Sequence, residues 1–263
     1  MIITPHLGIG DLLFIKMKQI SHNLNIDCIN INQNLILSYC ENYDVKINFI
    51  TQFIKLLFND SKICINTNQN DNHIFDNYSI HNSYIYNCIH LKPLSITYSD
   101  YIIFHTKMRH DGLMDKFNNE LLSSLTVFLE NFKTSKTIII LGERNIGKNL
   151  ETQIHKTISL YDKLMLLKNN NNVIDLTTNV LTCGNPDFNQ FLLEIEIINK
   201  ALCNITFGLG GPFNICKAFS ENNISFIPFY NLACYKETLN QIINNSLVEN
   251  VDELNNKLCK FTV

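Results

Sequence analysis

A glycine-rich turn late in the chain has the composition of an anion-binding site. The segment Ile205–Ser220 begins with apolar residues, continues through Gly208, Gly210 and Gly211, and changes at Pro212 to the apolar spacing of a helix. Glycines let the backbone approach a ligand closely, and proline is favoured at the first helical position because it lacks an N–H. The unpaired N–H groups and positive dipole end of a helix N-terminus favour an anion. A plain strand-to-helix connection would use the same residues, so the function depends on the rest of the chain.

Positively charged residues follow other apolar runs that have the pattern of strands. Arg109 and Arg144 are the only arginines, and Lys107 stands close to the first of them. If these runs are parallel strands, their carboxyl ends meet at one edge, and the three cations converge near the glycine turn. Cations and helix N–H groups together describe a diphosphate site, whereas a solvated surface charge is the simpler interpretation of each cation alone.

A second glycine turn lies at the N-terminus. Gly8, Gly10 and Asp11 separate a short apolar run from residues with helical spacing. These glycines do not form a dinucleotide fingerprint, because Leu13 stands where that motif needs its third glycine. Asp11 falls in the first helical turn, where the helix dipole favours a carboxylate. It is therefore either a helix cap or a functional group.

The apolar patterns predict an α/β protein with parallel strands covered by helices on both faces. The predicted strands are Met1–Pro5, Asp27–Asn32, Lys62–Asn66, Tyr84–Leu91, Tyr101–Phe104, Thr137–Leu141, Val173–Leu176, Ile205–Phe207 and Ile224–Phe229. The predicted helices are Leu12–Asn25, Asn34–Phe58 in two pieces, Asn118–Phe132, Ile154–Leu167, Phe188–Leu202, Pro212–Phe219, Cys234–Ser246 and Asp252–Cys259. Ligands bind at the carboxyl ends of the strands in such a sheet. Those ends carry His6–Asp11, His105–Arg109, Gly142–Arg144, Thr177 and Gly208–Asn214.

The order of the elements predicts two domains. The segment Lys92–Ser95 contains a proline after a polar break, and a more regular alternation of strands and helices follows it. We therefore expect an N-terminal Rossmann-like domain at residues 1–94 and a C-terminal one at residues 95–245. A helix at residues 246–263 could pack back on the N-terminal domain. The Asn-rich stretch 67–82 is expected to be a loop or irregular β segment.

Composition argues against several classes of protein. The net charge of −3 and the absence of tryptophan disfavour nucleic-acid binding, and no apolar run reaches the roughly 18 residues of a membrane span. The nine cysteines have no Cys-x-x-Cys spacing, which indicates reduced thiols, with Cys216 as a packing residue. No Asp-x-Asp pair or histidine spacing suggests a metal site. The Asn content, roughly one residue in seven, is typical of AT-rich genomes such as those of some large DNA viruses. We expect a soluble, cytoplasmic protein without a cofactor or metal.

The two glycine turns together resemble those of a known family. The segment His6–Asp11, His-Leu-Gly-Ile-Gly-Asp, and the later pair Gly211–Pro212 are similar to turns of GT-B glycosyltransferases of the heptosyltransferase-like branch. Phe104–Lys107 followed by Arg109, and Leu141–Arg144, are similar to the first two strand ends of that family's donor domain. The resemblance implies two facing Rossmann-like domains with a cleft between them, of which the N-terminal one is reduced here.

The resemblance also implies a metal-independent, inverting transfer of a sugar from a nucleoside-diphosphate sugar to the hydroxyl group of a glycan or small acceptor. Asp11 would be the general base, and Lys107, Arg109 and the amides of Gly210 and Gly211 would neutralise the leaving diphosphate. The full donor-binding set would be Gly8, Gly10, His105, Lys107, Arg109, Gly142, Glu143, Arg144, Thr177, Gly208, Gly210, Gly211, Pro212 and Asn214.

Two departures from the family keep other functions open. Leu209 and Asn214 stand where the family usually carries Asp and His, so the donor sugar is not expected to be heptose. A nucleotide-sugar epimerase or hydrolase of the same architecture would need several carboxylates in the cleft, for which the sequence offers Asp11 and Glu143. A catalytically degenerate binding module is the third hypothesis, and the two departures favour it.

Overall fold

The structure is a computed structural model of the 263-residue chain. It describes residues 2–3, 8–32, 43–59, 61–66, 80, 83–89, 91, 97–111, 119–144, 155–177, 187–208, 210–227 and 245–262. Two largely parallel sheets with helices packed around them confirm the predicted α/β class.

The smaller sheet is built from the N-terminal part of the chain. Its strands β1 (Ile2–Ile3), β2 (Cys28–Asn32) and β3 (Lys62–Asn66) run parallel in that order. Helix α1 (Ile9–His22) connects the first two strands, and α2 (Tyr43–Leu57) lies between the second and third. The helical spacing of apolar residues gives each helix one buried face. These faces consist of Leu12, Leu13, Ile15 and Met17 in α1 and of Phe49, Ile50, Phe53, Ile54 and Leu57 in α2.

The larger sheet has seven strands. In chain order they are β4 (Tyr101–Asp111), β5 (Thr137–Leu141), β6 (His155–Ser159), β7 (Val173–Asp175), β8 (Cys203–Phe207), β9 (Asn223–Phe226) and β10 (Asn245–Val248). Their spatial order is β7-β5-β4-β8-β9-β10, with β6 antiparallel to the outer half of β4. Counted along the parallel strands, this is the 3-2-1-4-5-6 order of a doubly wound sheet. The order reverses between β4 and β8, which is where such sheets bind ligands.

Helices cover both faces of the larger sheet. They are α3 (Asn119–Asn131), α4 (Tyr161–Leu164, continued by a 3₁₀ turn at Met165–Asn169), α5 (Phe188–Lys200), α6 (Gly211–Phe219) and α7 (Val251–Thr262). Buried residues of α3, α4 and α7 share an apolar cluster on one face, and those of α5 and α6 belong to a cluster on the other. Leu254 and Leu258 of α7 are fully buried in the first cluster. This helix therefore packs on the larger sheet, whereas the sequence suggested packing on the N-terminal domain.

The second cluster also contains the apolar side chains of the N-terminal segment. Leu12 and Phe53 belong to it together with Ile103 and Ile139 of the larger sheet. The helices between the two sheets make this connection, because α1 contacts α6 and α2 contacts α5. The two sheets thus share one continuous apolar core. The boundary predicted at Lys92–Ser95 lies outside the described residues and stays a prediction.

Four phenylalanine rings form the contact between α2 and α5. Phe49 lies edge-on to Phe188 and Phe191, with ring centroids 5.7 and 5.3 Å apart. Phe53 meets Phe191 at a centroid distance of 5.4 Å, again edge-on. Such pairs add about 0.5–1.5 kcal/mol each beyond the burial of apolar surface. They fix α2 of the smaller sheet on the surface of the larger one.

Two sequence-based assignments near β4 were wrong. The strand predicted to end at Phe104 continues to Asp111, because its outer half pairs with β6. The helix predicted at Ile154–Leu167 is instead the strand β6 followed by the short α4. Leu160, Leu164 and Leu167 do fit a helical spacing, but the prediction extended the helix into residues whose strand partner lies far away in the sequence.

Two further assignments also differ from the structure. Tyr86–Cys88 forms a 3₁₀ turn where a strand was predicted, since this segment pairs with neither sheet. The end of the helix predicted at Cys234–Ser246 belongs to β10, which pairs with β9. Residues 228–244 and most of the Asn-rich stretch 67–82 lie outside the described residues.

A lysine is buried where α1 meets α6. Lys217 is 1% exposed, and its Nζ atom lies 4.4 Å from the ring centroid of Phe14 and 5.9 Å from that of Phe213. Among the residues that the structure describes, this Nζ atom has no hydrogen-bond partner. Burial, together with the nearby charge of Lys18, lowers the pKa of Lys217 to about 7. The charged form of Lys217 therefore destabilises the folded state.

We predict that Lys217→Met stabilises the protein at neutral pH by about 1–4 kcal/mol, because methionine fills the site without a buried charge. Between about pH 7 and pH 10.5 the unfolded chain binds a proton at this position that the folded chain lacks. The free energy of unfolding of the wild type therefore rises with pH in this window, and its difference from that of Lys217→Met shrinks. Urea unfolding at the two ends of the window measures both effects.

The control for this prediction is Lys257→Met on α7, where the side chain is exposed. We expect its free energy of unfolding to stay within about 0.5 kcal/mol of the wild-type value. A Lys217→Met protein that is less stable than wild type at neutral pH would contradict the burial of this amine.

Candidate functional site

Most of the predicted site residues line one cavity beside the reversal of strand order. Its volume is about 360 Å³. The predicted residues on its wall are Gly8, Gly10, Asp11, His105, Lys107, Gly142, Glu143, Gly211, Pro212 and Asn214. The wall also contains residues that were not in the predicted catalytic and donor-binding set, namely Ile9, Lys46, Leu141, Glu194, Ile198 and Ile215. The N-terminal segment and the larger sheet therefore build this cavity together.

The N-termini of two helices meet at the cavity. Helices α1 and α6 are preceded by Gly8 and Gly210, so neither has an N-cap side chain that accepts from its first N–H groups. A Cβ atom on Gly10 would lie 2.5 Å from Nδ2 of Asn214, so glycine at position 10 leaves room for the Asn214 side chain where the two helix ends meet. The first N–H groups of both helices, which no intrahelical hydrogen bond uses, and the positive partial charges of the helix ends are thereby concentrated on one cavity.

Asp11 lies in the first turn of α1 and is exposed on the cavity wall. Gly8 leaves room for its carboxylate, because a Cβ atom on Gly8 would lie 2.6 Å from Oδ2 of Asp11. The N-cap position belongs to Gly8, so Asp11 is not the N-cap residue. A carboxylate at this place interacts favourably with the helix dipole and can accept a proton from a bound ligand.

Strand β4 carries His105 and Lys107 to the cavity. The pairing of β4 with β8 shifts register between Phe104 and Met108, the segment that holds both residues. Such irregularities redirect side chains and are frequent beside functional sites. His105 and Lys107 lie within the strand, whereas the sequence had placed them beyond its end. The difference arises because β6 prolongs β4.

Glu143 reaches the cavity from the turn after β5. Gly142 has a φ of +118°, which favours glycine, and a Cβ atom there would lie 2.5 Å from Oγ1 of Thr106. The Thr106 hydroxyl donates to the carbonyl oxygen of Glu143 at 2.7 Å. Strand β4 therefore holds this turn in place, and the Glu143 side chain is buried at the cavity wall.

Two charged residues on the wall were missing from the predicted site. Glu194 lies on α5, where burial and the nearby Glu143 carboxylate raise its pKa and Gln190 donates to it at 3.3 Å. Lys46 lies near the start of α2. Two glutamates, Glu194 and Glu196, interrupt the apolar run Phe191–Ile198, and this is the sequence signal that could have drawn attention to Glu194. No comparable signal marks Lys46.

His105 is a buried histidine that is neutral at physiological pH. Burial lowers its pKa to about 4, and its hydrogen bond with Asn204 acts in the opposite direction. Nε2 of His105 lies 3.3 Å from Oδ1 of Asn204 and 3.0 Å from Sγ of Cys216. A neutral imidazole supplies no positive charge, so His105 cannot act as a cation toward a diphosphate.

Cys216 therefore has a histidine beside it, which the sequence did not reveal. The thiol is fully buried, and burial raises its pKa well above the ordinary value. The thiolate is the nucleophilic form of cysteine, and this environment disfavours it. Burial and the raised pKa of the thiol support the packing role that the sequence analysis expected for Cys216.

Arg144 and Thr177 form a separate cluster at the ends of β5 and β7. Arg144 donates to Asp175 at 3.0 Å and to Thr177 at 2.7 Å, and its guanidinium lies 5.1 Å from the ring centroid of Tyr161. Tyr161 also donates to Asp175, at 2.8 Å. These contacts explain the position of the Arg144 side chain without a bound ligand. Neither Arg144 nor Thr177 is on the cavity wall.

The other predicted residues are only partly described. Arg109 pairs with Thr157 in the β4–β6 ladder, and its side chain lies outside what the structure describes. Gly208, with a φ of +74°, and Gly210 connect β8 to α6 but are not on the wall. Leu209 lies outside the described residues.

Comparison of the chain with protein-family models, curated proteins and solved structures finds no match. Its site is therefore interpreted from its own geometry. Among the described residues, none forms a helix with the length and hydropathy needed to cross a membrane. The same part of the chain contains no group of three or more His, Cys, Asp or Glu side chains placed to hold a metal ion.

We predict that Gly142→Ala destabilises the protein by about 1–3 kcal/mol, because alanine disfavours a positive φ and its Cβ would displace the Thr106 hydroxyl. Gly211→Ala is the matched control, since nothing lies within 4 Å of a Cβ atom at that position. Urea unfolding of both variants measures the difference. Equal free energies of unfolding would contradict the backbone conformation described for Gly142.

Proposed function

We propose that the protein is a metal-independent glycosyltransferase that moves a sugar from a nucleoside-diphosphate sugar to a hydroxyl acceptor. The observation that carries this proposal is the cavity in which two helix N-termini, Lys107 and Asp11 occur together beside the reversal of strand order. Doubly wound sheets bind nucleotides in the crevice at this position. A GT-B arrangement of two facing Rossmann-like domains is part of the proposal, with the smaller sheet on the acceptor side.

The diphosphate would bind where positive charge is concentrated. The N-termini of α1 and α6 supply N–H donors and partial positive charge, and Lys46 and Lys107 add full charges on the same wall. Preorganised positive charge of this kind stabilises a diphosphate as it leaves, because it is already aimed at the developing negative charge. In the proposal this charge has the role that a divalent metal ion has in many other transferases.

Asp11 would be the general base. Its exposed carboxylate takes the proton of the acceptor hydroxyl while the hydroxyl oxygen forms a bond to the anomeric carbon. The bond between that carbon and the diphosphate breaks at the same time, and its electron pair leaves with the diphosphate. Attack from the face opposite the leaving group inverts the anomeric configuration.

A nucleotide-sugar epimerase or hydrolase is the second candidate, and Glu194 favours it. Such enzymes need several carboxyl groups that act as acids and bases, and Glu194 joins Asp11 and Glu143 on one wall. The two candidates differ in their products. A transferase makes a glycoside of the acceptor, whereas the alternative releases or epimerises the sugar without an acceptor.

We predict that a nucleoside diphosphate raises the melting temperature of the protein in the presence of a chelator. A ligand at about 100 times its Kd adds about 2.7 kcal/mol of stability, which thermal shift detects for UDP, GDP or TDP. Lys107→Ala should reduce the shift because it removes a cation from the wall. Lys168→Ala, at an exposed lysine elsewhere, should preserve it. No shift with any of the three nucleotides would overturn the proposed donor site.

We further predict that Asp11→Asn lowers turnover about 10²–10⁴-fold and preserves nucleotide binding, because the base is lost while size and shape are kept. Transfer to a hydroxyl acceptor and release of free sugar are measured with the sugar derivatives of the nucleotide that binds. Unchanged transfer in the variant would exclude Asp11 as the base. Free or epimerised sugar as the main product would identify the second candidate, and tight binding without any product would identify a degenerate binding module.

A further inference from the structure

One part of the cavity wall is rich in hydrogen-bond acceptors. It consists of His105 in β4, Glu143 after β5 and Glu194 on α5. We call it the acceptor wall, where acceptor means a hydrogen-bond acceptor and not the acceptor substrate. His105 and Glu143 are 3% and 6% exposed, so both are almost completely removed from bulk water. What this wall can bind depends on which ring nitrogen of His105 carries the proton and on the charge of the two glutamates.

Asn204, on the neighbouring strand β8, determines the proton position on His105. Its Nδ2 atom donates to the carbonyl oxygen of Ile198 at 3.0 Å and to Oγ of Ser220 at 2.9 Å. A carbonyl oxygen only accepts hydrogen bonds, so the NH₂ end of Asn204 must face Ile198, and Oδ1 must face His105. Asn204 is completely buried, so its Oδ1 atom needs a donor within the protein.

Nε2 of His105 can be that donor, because it lies 3.3 Å from Oδ1 of Asn204. If Nδ1 carried the proton instead, Cys216 could donate to Nε2 from 3.0 Å, but the buried Oδ1 of Asn204 would face a lone pair. A thiol is a weak donor, so the arrangement that satisfies Asn204 is the more stable one. Nδ1 of His105 then holds a lone pair, and within the described residues no hydrogen bond uses it.

The two glutamates add negative charge to the same wall. Burial and the nearby Glu143 carboxylate both raise the pKa of Glu194, so this part of the wall disfavours a further negative charge. Another anion placed against this wall would be repelled at short range by both carboxylates. Hydroxyl groups would be attracted, because each of them donates one hydrogen bond to an acceptor.

We infer that the acceptor wall binds the uncharged, hydroxyl-bearing sugar ring of the donor and rejects sugars that carry a carboxylate. The inference rests on the proposed function, since the diphosphate of the same donor would bind at the two helix N-termini. Nδ1 of His105 accepts a hydrogen bond from one ring hydroxyl, and Glu143 and Glu194 accept from others. Asn204 is a positioning residue that orients His105 without touching the sugar.

The proton position is tested first, on the ligand-free protein. ¹⁵N NMR of the imidazole side chains should show His105 protonated at Nε2 and neutral down to about pH 5, with its signals assigned by their loss in His105→Gln. Cys216→Ala should leave this tautomer unchanged, and Asn204→Ala should shift the population toward protonation at Nδ1. A wild-type ring protonated at Nδ1, or one that becomes cationic near the ordinary histidine pKa, would overturn the inference.

Charge selectivity is tested with matched ligands. UDP-glucose and UDP-glucuronic acid differ by a CH₂OH group and a carboxylate, and we expect the second to bind at least about tenfold more weakly in calorimetry. GDP-mannose and GDP-mannuronic acid serve in the same way if GDP is the preferred nucleotide. Glu194→Gln should reduce the difference in affinity between the neutral and the acidic sugar. Glu130→Gln, at an exposed position on α3, should leave that difference unchanged. Equal affinities for the two sugars in the wild type would overturn the inference.

Failure of the proposed function has a different signature. If none of UDP, GDP, TDP and their sugars binds, the proposed donor site fails, while the NMR experiment still decides whether His105 presents an acceptor. If nucleotides bind and neutral and acidic sugars bind equally, the acceptor wall fails and the donor site stands.

Discussion

The close contact between the N-terminal ends of α1 and α6 is the constraint on which the rest of the site depends. Gly10 lies so near to Asn214 that a side chain at position 10 would collide with the end of the Asn214 side chain and force it to move. One helix belongs to the smaller sheet and the other to the larger, so this contact joins the two sheets and forms the cavity at once. It also brings two positive dipole ends together, which is unfavourable by itself. Asp11 offsets part of that repulsion, and an anionic ligand would offset more.

The packing that enforces this contact lies in the shared core between the sheets. The phenylalanine rings of α2 and α5 fix one side of the interface, and the apolar faces of α1 and α6 fix the other. Lys217 is an exception in this core, because its amine is buried against Phe14 with a lowered pKa. A buried amine weakens the same interface that creates the cavity, so the stability of the fold and the geometry of the site are coupled at this place.

The cavity combines two electrostatic environments because its wall comes from different kinds of element. Helix N-termini and lysines supply positive charge, whereas the acceptor wall combines a neutral histidine with two glutamates. A ligand with an anionic part and an uncharged, hydroxyl-rich part would match both. For Arg144, the scarcity of arginine was a misleading guide to this arrangement. Arg144 is engaged by Asp175 and Thr177, so a scarce residue type at a strand end has a structural role here.

Local patterns in the sequence determined most of the elements and the two glycine turns. The strands Lys62–Asn66 and Thr137–Leu141 were predicted at their observed bounds, and both turns open helices at the cavity. Apolar spacing and glycine conformation depend on near neighbours in the chain, so these features are legible in the sequence. Only the tertiary structure decided that β6 pairs with β4 and that the side chain of Glu194 lies near that of Glu143. It also decided that Asn204 forms a hydrogen bond with His105, which lies 99 residues away in the sequence. Strand pairing, burial and charge proximity depend on residues distant in sequence, and no local pattern encodes which of them will meet.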